Sequence, residues 1–260
     1  MKLAFGVPWT SPFVFTKFAD DMMNLARPER ARTVFGGLAP LETRFFRGSG
    51  WCPARRHTCL CEQALEWGAD LICILGADQR YPEDLLERLV ARWNQGCEVI
   101  ASLVPARGYV GWQEMEPFQR MAWRLKGAGE TEANAILRGD AKHEVEVVNP
   151  DDGELQRINF IGSGVLMFHR DHLLSIPRPW FEEQVNPITY ERLASMDTGF
   201  VWKLQTVAGA TVWVDTTIPV RHMHIFDVDN TYPERFADWS EVGRGPADAC
   251  QYEPYRKVSA

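Results

Sequence analysis

Asp78 stands in a short polar turn, Gly76-Ala77-Asp78-Gln79, and its surroundings mark it as the first candidate for chemistry in this chain. The turn follows Leu71-Ile72-Cys73-Ile74-Leu75, an unbroken apolar run that is too short for a free-standing helix and lacks the alternation of a half-solvated strand. Such a run predicts a strand buried on both faces, as in a parallel sheet under helices. Ligands of open α/β sheets bind beyond the carboxyl ends of the strands, where this turn must lie. A carboxylate there can bind a cation or move a proton, or simply cap the next helix. His222 and His224 follow the last strong apolar strand, and a step of two puts both on one side of an extended segment. Imidazoles can ligate metals or be satisfied in a core. Asp197 opens a helical stretch, so it either caps that helix or takes a proton from a hydroxyl. Arg55 and Arg56 open another helix, where they can meet an anion or remain solvated. Gly162 and Gly164 precede a strand and either admit a ligand close to the backbone or mark a bulge.

The elements that must position these groups alternate. Leu3-Ala4-Phe5-Gly6-Val7 predicts a first buried strand, stopped by Pro8. Ser11-Pro12 starts a helix with Phe15, Phe18, Met22 and Leu25 at helical spacing. Thr33-Val34-Phe35 predicts a short second strand, followed by a polar loop through Trp51 and Pro53. A helix over 54–67 ends at Gly68 in the left-handed cap position. After the strand at 71–75, Pro82 starts a helix with Leu85, Leu86, Leu89, Val90 and Trp93 on its apolar face. A strand over 98–103 follows. Strands alternating with helices imply a parallel sheet with right-handed crossovers. Beyond Pro105 the pattern predicts a loop at 108–112 and a helix over 114–126. A β-hairpin over 143–149 and 154–160 is expected around Pro150-Asp151-Asp152-Gly153. Then come the strand Val165-Leu166-Met167-Phe168, a helix from Asp197, the strand Thr211-Val212-Trp213-Val214-Asp215, and a loop-rich tail beyond about Asp227.

With 260 residues and 45% hydrophobic content, the chain can bury a substantial core. Its net charge of −7 argues against a broad electrostatic grip on nucleic acid. No apolar run approaches the ~20 residues of a membrane span. Met1-Lys2-Leu3 leads into a strand without the features of a secretory signal, so a cytoplasmic location is expected. The six cysteines, with Cys73 and Cys97 in or beside apolar strands, predict reduced thiols.

Four segments, in this order, resemble the nucleotide-sugar-dependent glycosyltransferases of the GT-A fold. Ala4-Phe5-Gly6-Val7-Pro8 is similar to the family's opening strand, whose end meets the nucleotide. Residues 69–89 resemble its apolar strand, Asp-x-Asp motif and Pro-led helix. Residues 161–168 resemble the glycine-containing strand against the donor sugar. Ser195-Met196-Asp197-Thr198-Gly199-Phe200 through His222 resembles the acidic motif, helix, strand and distal histidine that close the site. Two departures stand out. The Asp-x-Asp reads Gly76-Ala77-Asp78, without its first carboxylate, and the Glu-Asp often found at the acidic motif reads Met196-Asp197.

The resemblance implies an α/β fold of GT-A-like, Rossmann type: a mostly parallel sheet flanked by helices, with the hairpin as an insertion. One domain would span 1–226, nucleotide-binding over 1–105 and shaping the donor-sugar and acceptor side over 106–226, with the tail 227–260 packed on it. It implies transfer of a hexosyl or pentosyl group from a nucleotide-sugar donor to an acceptor hydroxyl. Pro8, Arg55, Gly76, Ala77, Asp78, Gly162 and Gly164 would hold the donor, and Asp197 would be the general base. Asp78 with His222 or His224 would hold Mn2+ or Mg2+, since oxygen ligands suit both ions and manganese also takes imidazole nitrogen. The acidic balance favours a carbohydrate or small-molecule acceptor. A hydroxymethylated base in viral DNA is the competitor, gripped by a basic lip of Arg107, Arg120, Arg124, Lys126 and Arg138. Rival readings are Asp227-Val228-Asp229 as the literal Asp-x-Asp, a zinc site at Cys52, His57, Cys59 and Cys61, and a nucleotidyltransferase on the same sheet. The last would need a Gly-rich, Arg-containing loop where Pro8-Trp9-Thr10-Ser11-Pro12 stands. The missing acid at Gly76 also leaves open a non-catalytic nucleotide- or sugar-binding protein.

Overall fold

The apolar run at 71–75 lies in the middle of a seven-stranded sheet. The computed structural model describes residues 1–8, 16–26, 41–105, 122–125, 145–185, 192–223 and 227–228. In chain order the first elements are β1 (Lys2–Pro8), α1 (Thr16–Leu25), β2 (Glu42–Gly48), α2 (Pro53–Trp67), β3 (Leu71–Leu75), β4 (Gln79–Arg80), α3 (Leu85–Asn94) and β5 (Val99–Ser102). They are followed by β6 (Ala122–Leu125), β7 (Val145–Val147), β8 (Leu155–Arg157), β9 (Phe160–Ile161), β10 (Val165–His169) and α4 (Arg170–Ser175). The last are β11 (Gln184–Val185), β12 (Arg192–Ala194), α5 (Met196–Thr206), β13 (Val212–Asp215), β14 (Arg221–Met223) and β15 (Asp227–Val228).

The sheet order is β2-β1-β3-β10-β5-β13-β8. β2, β1, β3, β5 and β13 share one direction, while β10 runs against both its neighbours and β8 runs against β13. This is the expected class, a mostly parallel sheet between layers of helices. β3 is buried on both faces because its side chains alternate between two cores. Ile72 and Ile74 pack with Leu60, Ala64, Phe200 and Leu204 under α2 and α5. Leu71, Cys73 and Leu75 pack with Phe18, Met22, Leu85 and Leu89 under α1 and α3. Gly68 closes α2 at φ 79°, the left-handed conformation expected of it. Five cysteines, Cys52, Cys59, Cys61, Cys73 and Cys97, are free thiols. Among the described residues no helix is long and apolar enough to cross a membrane.

Local expectations fail where strand partners decide. Residues 42–48, read as part of a polar loop, form β2, paired with β1 along its whole length. Its exposed Glu42, Arg44 and Arg47 are what an edge strand needs to discourage further pairing. The strand expected at 33–35 lies outside the described residues. Strands do flank the turn at 150–153, but they do not form a hairpin: β7 pairs with β6, and β8 pairs with β13 at the sheet edge. Gln156 Nε2 donates to Asn149 O and Gly153 O, so the turn is tied to β8 by a side chain rather than by a ladder. Residues 122–125, expected at the end of a helix, form β6, held between β7 and β9. Helix α3 begins at Leu85 rather than Pro82, because Pro82 O accepts Leu85 N in a preceding turn.

Candidate active site

β1, β3 and β5 run in one direction, so their carboxyl ends, reaching Pro8, Gly76 and Val104, open on one edge of the sheet. β10 runs the other way, which brings its beginning, Gly162-Ser163-Gly164, to the same edge. Asp197 arrives there on the first turn of α5 and His222 on β14. A cleft of about 250 Å³ results. That is just under the ~300 Å³ at the low end of small-molecule sites. Pro8, Gly76, Ala77 and Asp78 line it, and so do Gly162, Gly164, Asp197 and His222. The structure thus brings together eight residues spread from position 8 to position 222.

Asp78 and His222 meet because β4 pairs with β14, setting Gln79 opposite His222. His222 Nδ1 lies 2.9 Å from Pro105 O, and a carbonyl only accepts, so Nδ1 carries the proton. In the neutral ring Nε2 keeps its lone pair, 3.5 Å from Asp78 Oδ1. That separation is too long for a good hydrogen bond. A carboxylate oxygen and an imidazole lone pair therefore face a common space. An Nδ1–H held by a backbone carbonyl is the usual support of a metal-ligating histidine. Among the described residues there is no group of three or more His, Cys, Asp or Glu suited to a metal, so those residues offer this pair.

Asp197 has both oxygens engaged. Oδ1 accepts from Thr198 N at 2.9 Å and from the Ser195 hydroxyl, and Oδ2 accepts from Ser163 N at 3.2 Å. It therefore binds the first turn of α5 to the turn that begins β10. Gly76 N donates to Gly164 O at 2.8 Å, joining that turn to the end of β3. Gln79, buried and unremarked in the sequence, folds back over the junction. A Cβ on Gly76 would lie 2.7 Å from Gln79 Nε2, and one on Gly164 would also strike that amide. Both glycines thus leave room for Gln79. An aspartate at position 76 would collide with it. Tyr81 completes the packing, its hydroxyl 2.7 Å from Gly76 O and 3.0 Å from Gln79 Oε1. Burial raises the Tyr81 phenol well above its ordinary value and keeps it a donor.

His57 also lines the cleft. It lies on the buried face of α2 with Leu60, Cys61 and Ala64. Its Nδ1 is 2.9 Å from Pro53 O and its Nε2 is 3.1 Å from Ser163 Oγ. The carbonyl requires Nδ1–H, so Nε2 accepts the Ser163 hydroxyl proton. Burial pushes the His57 pKa below the ordinary 6.5, against the opposing pull of the Pro53 carbonyl and of Asp197. Both ring nitrogens are thus engaged away from Cys52, Cys59 and Cys61. In the sequence His57 stands at helical spacing with Leu60, Cys61 and Ala64, a signal that marks burial and not the partner.

Arg55 is not among the cleft residues; it is held by Glu62 at 2.8 Å on the exposed side of α2. His224 and Asp229 lie outside the described residues, while Asp227 and Val228 form β15 beside β14.

No protein-family model matches the chain, and no curated protein matches it. Among solved structures it is similar to A197 from STIV, with 15% identity over 86% of each chain and a TM-score of 0.51. It also aligns with S. aureus TarS 1-349 in complex with UDP-GlcNAc, at 13% identity and a TM-score of 0.41, covering 84% of this chain and 56% of that one. The molecule is an α/β protein with a mostly parallel sheet and a cleft at its carboxyl edge. It shares its fold with A197.

Proposed function

We propose that this protein transfers a sugar from a nucleotide-sugar donor to an acceptor hydroxyl with the help of a divalent cation. The observation that carries the proposal is the facing of Asp78 Oδ1 and His222 Nε2 across 3.5 Å in the cleft. Their oxygen and nitrogen donors fit Mn2+, and Mg2+ less well. The chemistry such an ion supplies is neutralisation of the charge that develops on a diphosphate leaving group. The chain's own residues do the remaining work. Pro8 and the backbone of Gly76 and Ala77 border the place for the nucleotide, and Gly162 to Gly164 border the place for the sugar. The acceptor's proton must go to a group in the same cleft, where Asp197, Ser163 and His57 are linked. The preferred acceptor is a carbohydrate or other small hydroxyl compound, in keeping with the acidic balance of the chain.

Binding without transfer is the second reading, favoured by the neutral Gln79 amide that fills the space over Gly76. Calorimetric titration with UDP and GDP, with and without Mn2+, followed by a donor-hydrolysis assay, separates the two. Manganese-dependent nucleotide binding that is lost in Asp78→Ala, together with turnover, is expected. Binding with no turnover of any donor would favour the second reading, and wild-type affinity in Asp78→Ala would remove the metal assignment.

A further inference from the structure

We infer that Ser163 and His57 form the proton-accepting pair of this site, with Ser163 Oγ passing the acceptor's hydroxyl proton to His57 Nε2. The inference rests on the glycosyl-transfer reading and says which groups of the cleft remove the proton. A proton-accepting pair needs its members within hydrogen-bond reach and its base oriented by a third group. Here Ser163 Oγ is 3.1 Å from His57 Nε2, and Pro53 O fixes the ring through Nδ1 at 2.9 Å. Ser163 is held in turn through its backbone N–H by Asp197. His57 is almost fully buried, with only 4% of its surface exposed, while Ser163 is half-buried and lines the cleft, so the serine is the member a substrate meets.

Asp197 is less suited to the same task. Its carboxylate already accepts from Thr198 N, the Ser195 hydroxyl and Ser163 N. Its negative charge acts on His57 instead, favouring the imidazolium, while Arg56 opposes it. Among the described residues those are the charged groups that bear on the ring; Phe181 packs beside it, with ring centroids 5.0 Å apart.

The acceptor's O–H proton moves to Ser163 Oγ as the serine's own proton moves to His57 Nε2. The freed acceptor oxygen bonds to the anomeric carbon. The bond from that carbon to the diphosphate oxygen breaks, and its electron pair leaves with the nucleoside diphosphate. The imidazolium, hydrogen-bonded to Pro53 O, then loses its proton to solvent. Asp197 is a positioning residue in this scheme, acting through Ser163 and through its charge.

Donor hydrolysis tests the pair, because water takes the acceptor's place and loses its proton in the same way. Wild type and variants are assayed with Mn2+ and UDP-glucose, UDP-N-acetylglucosamine and GDP-mannose from about pH 3 to 8, a span that holds both ordinary carboxylate and imidazole titrations. Positioned general-base groups contribute about 10²–10⁴-fold, so His57→Asn and Ser163→Ala should each lose roughly 100-fold or more in kcat with donor affinity kept. Ser163→Thr keeps the hydroxyl and should recover most of the activity. The acidic limb of the wild-type profile should lie below 6.5, at the depressed His57 titration, and should move to lower pH in Asp197→Asn. Near-normal turnover in His57→Asn or Ser163→Ala, or a limb abolished in Asp197→Asn alone, would overturn the inference and return the base role to Asp197. Wild type that neither binds nor hydrolyses any donor would overturn the glycosyl-transfer reading, and this inference with it. Since a variant of a buried histidine can fail to fold, imidazole 15N shifts of the wild type give an independent readout. A neutral Nδ1–H tautomer at neutral pH is expected, and an Nε2–H tautomer would sink the pair whatever the kinetics show.

Discussion

Gly76 and Gln79 compete for one space, and the outcome shapes the site. With no side chain at 76, the Gln79 amide lies over the junction of β3 and β10 within reach of Tyr81. Introducing a carboxylate by Gly76→Asp should therefore not create a simple metal or ribose contact. Its Cβ must displace a buried amide, a crowding that costs about 1–3 kcal/mol. Urea denaturation should show that loss, and the double variant Gly76→Asp with Gln79→Ala should recover part of it, since residues in contact couple in a double-mutant cycle. Strict additivity of the two changes would remove the shared-space account. Asp197→Ala should cost about 2 kcal/mol, because it takes away the partner of Thr198 N at a helix start and that of Ser163 N in the cleft. Thermal or urea unfolding measures it directly.

At the scale of elements, the meeting of Asp78 with His222 depends on a two-residue strand. β4 is paired on one side with β14 and anchored on the other by α1. Asp21 of α1, 7% exposed, accepts from Arg80 Nε at 2.8 Å and from Tyr81 N at 2.9 Å. Asp21→Ala should thus leave Arg80 and a buried backbone N–H without this partner, at a cost of about 2–4 kcal/mol. It should also weaken manganese-dependent nucleotide binding, although Asp21 does not line the cleft. A variant that is destabilised yet binds nucleotide and manganese as tightly as the wild type would show that β4 needs no such anchor.

The whole molecule should register the buried imidazole in its stability. His57 has a folded pKa below its ordinary 6.5, so the native state favours the neutral ring. Its contribution is present above 6.5 and is lost as the pH falls from 6.5 through the depressed folded value. Unfolding free energies measured downward from neutral pH should decline in that window, and His57→Gln should flatten the decline. An unchanged slope in the variant would place the titrating group elsewhere. The net charge of −7 also bears on the acceptor. Of the basic residues that could form a lip for DNA, Arg124 is described, and it is paired with Glu146 and Asp152, both at 3.0 Å. Duplex DNA should bind weakly, and transfer onto hydroxymethylcytosine DNA should not exceed transfer onto saccharides. Steeply salt-sensitive duplex binding accompanied by such transfer would reverse the acceptor choice.

Local patterns in the chain determined a good deal on their own. The run from Leu71 to Leu75 announced a strand buried on both faces, Gly68 a left-handed cap, and the Asp197 stretch a helix start. Periodicity, capping and turn chemistry act within a few residues, so they can be read without knowing the fold. The carboxyl edge of a parallel sheet follows from the same pattern, which is why Asp78 could be placed at a cleft. Gly164 was placed beside it only by the resemblance to GT-A glycosyltransferases, because β10 runs against its neighbours. The tertiary structure alone decided what each buried face meets. A hydrophobic period says that a face is covered and leaves the covering element unnamed, so β7 and β8 looked like a hairpin and belong to different sheets. The same reason hid the edge strand β2, whose polar residues are explained by having one neighbour instead of two. His57 finds Ser163 across 106 residues, and Gln79 fills the space that Gly76 leaves, because packing joins groups by distance in space rather than along the chain.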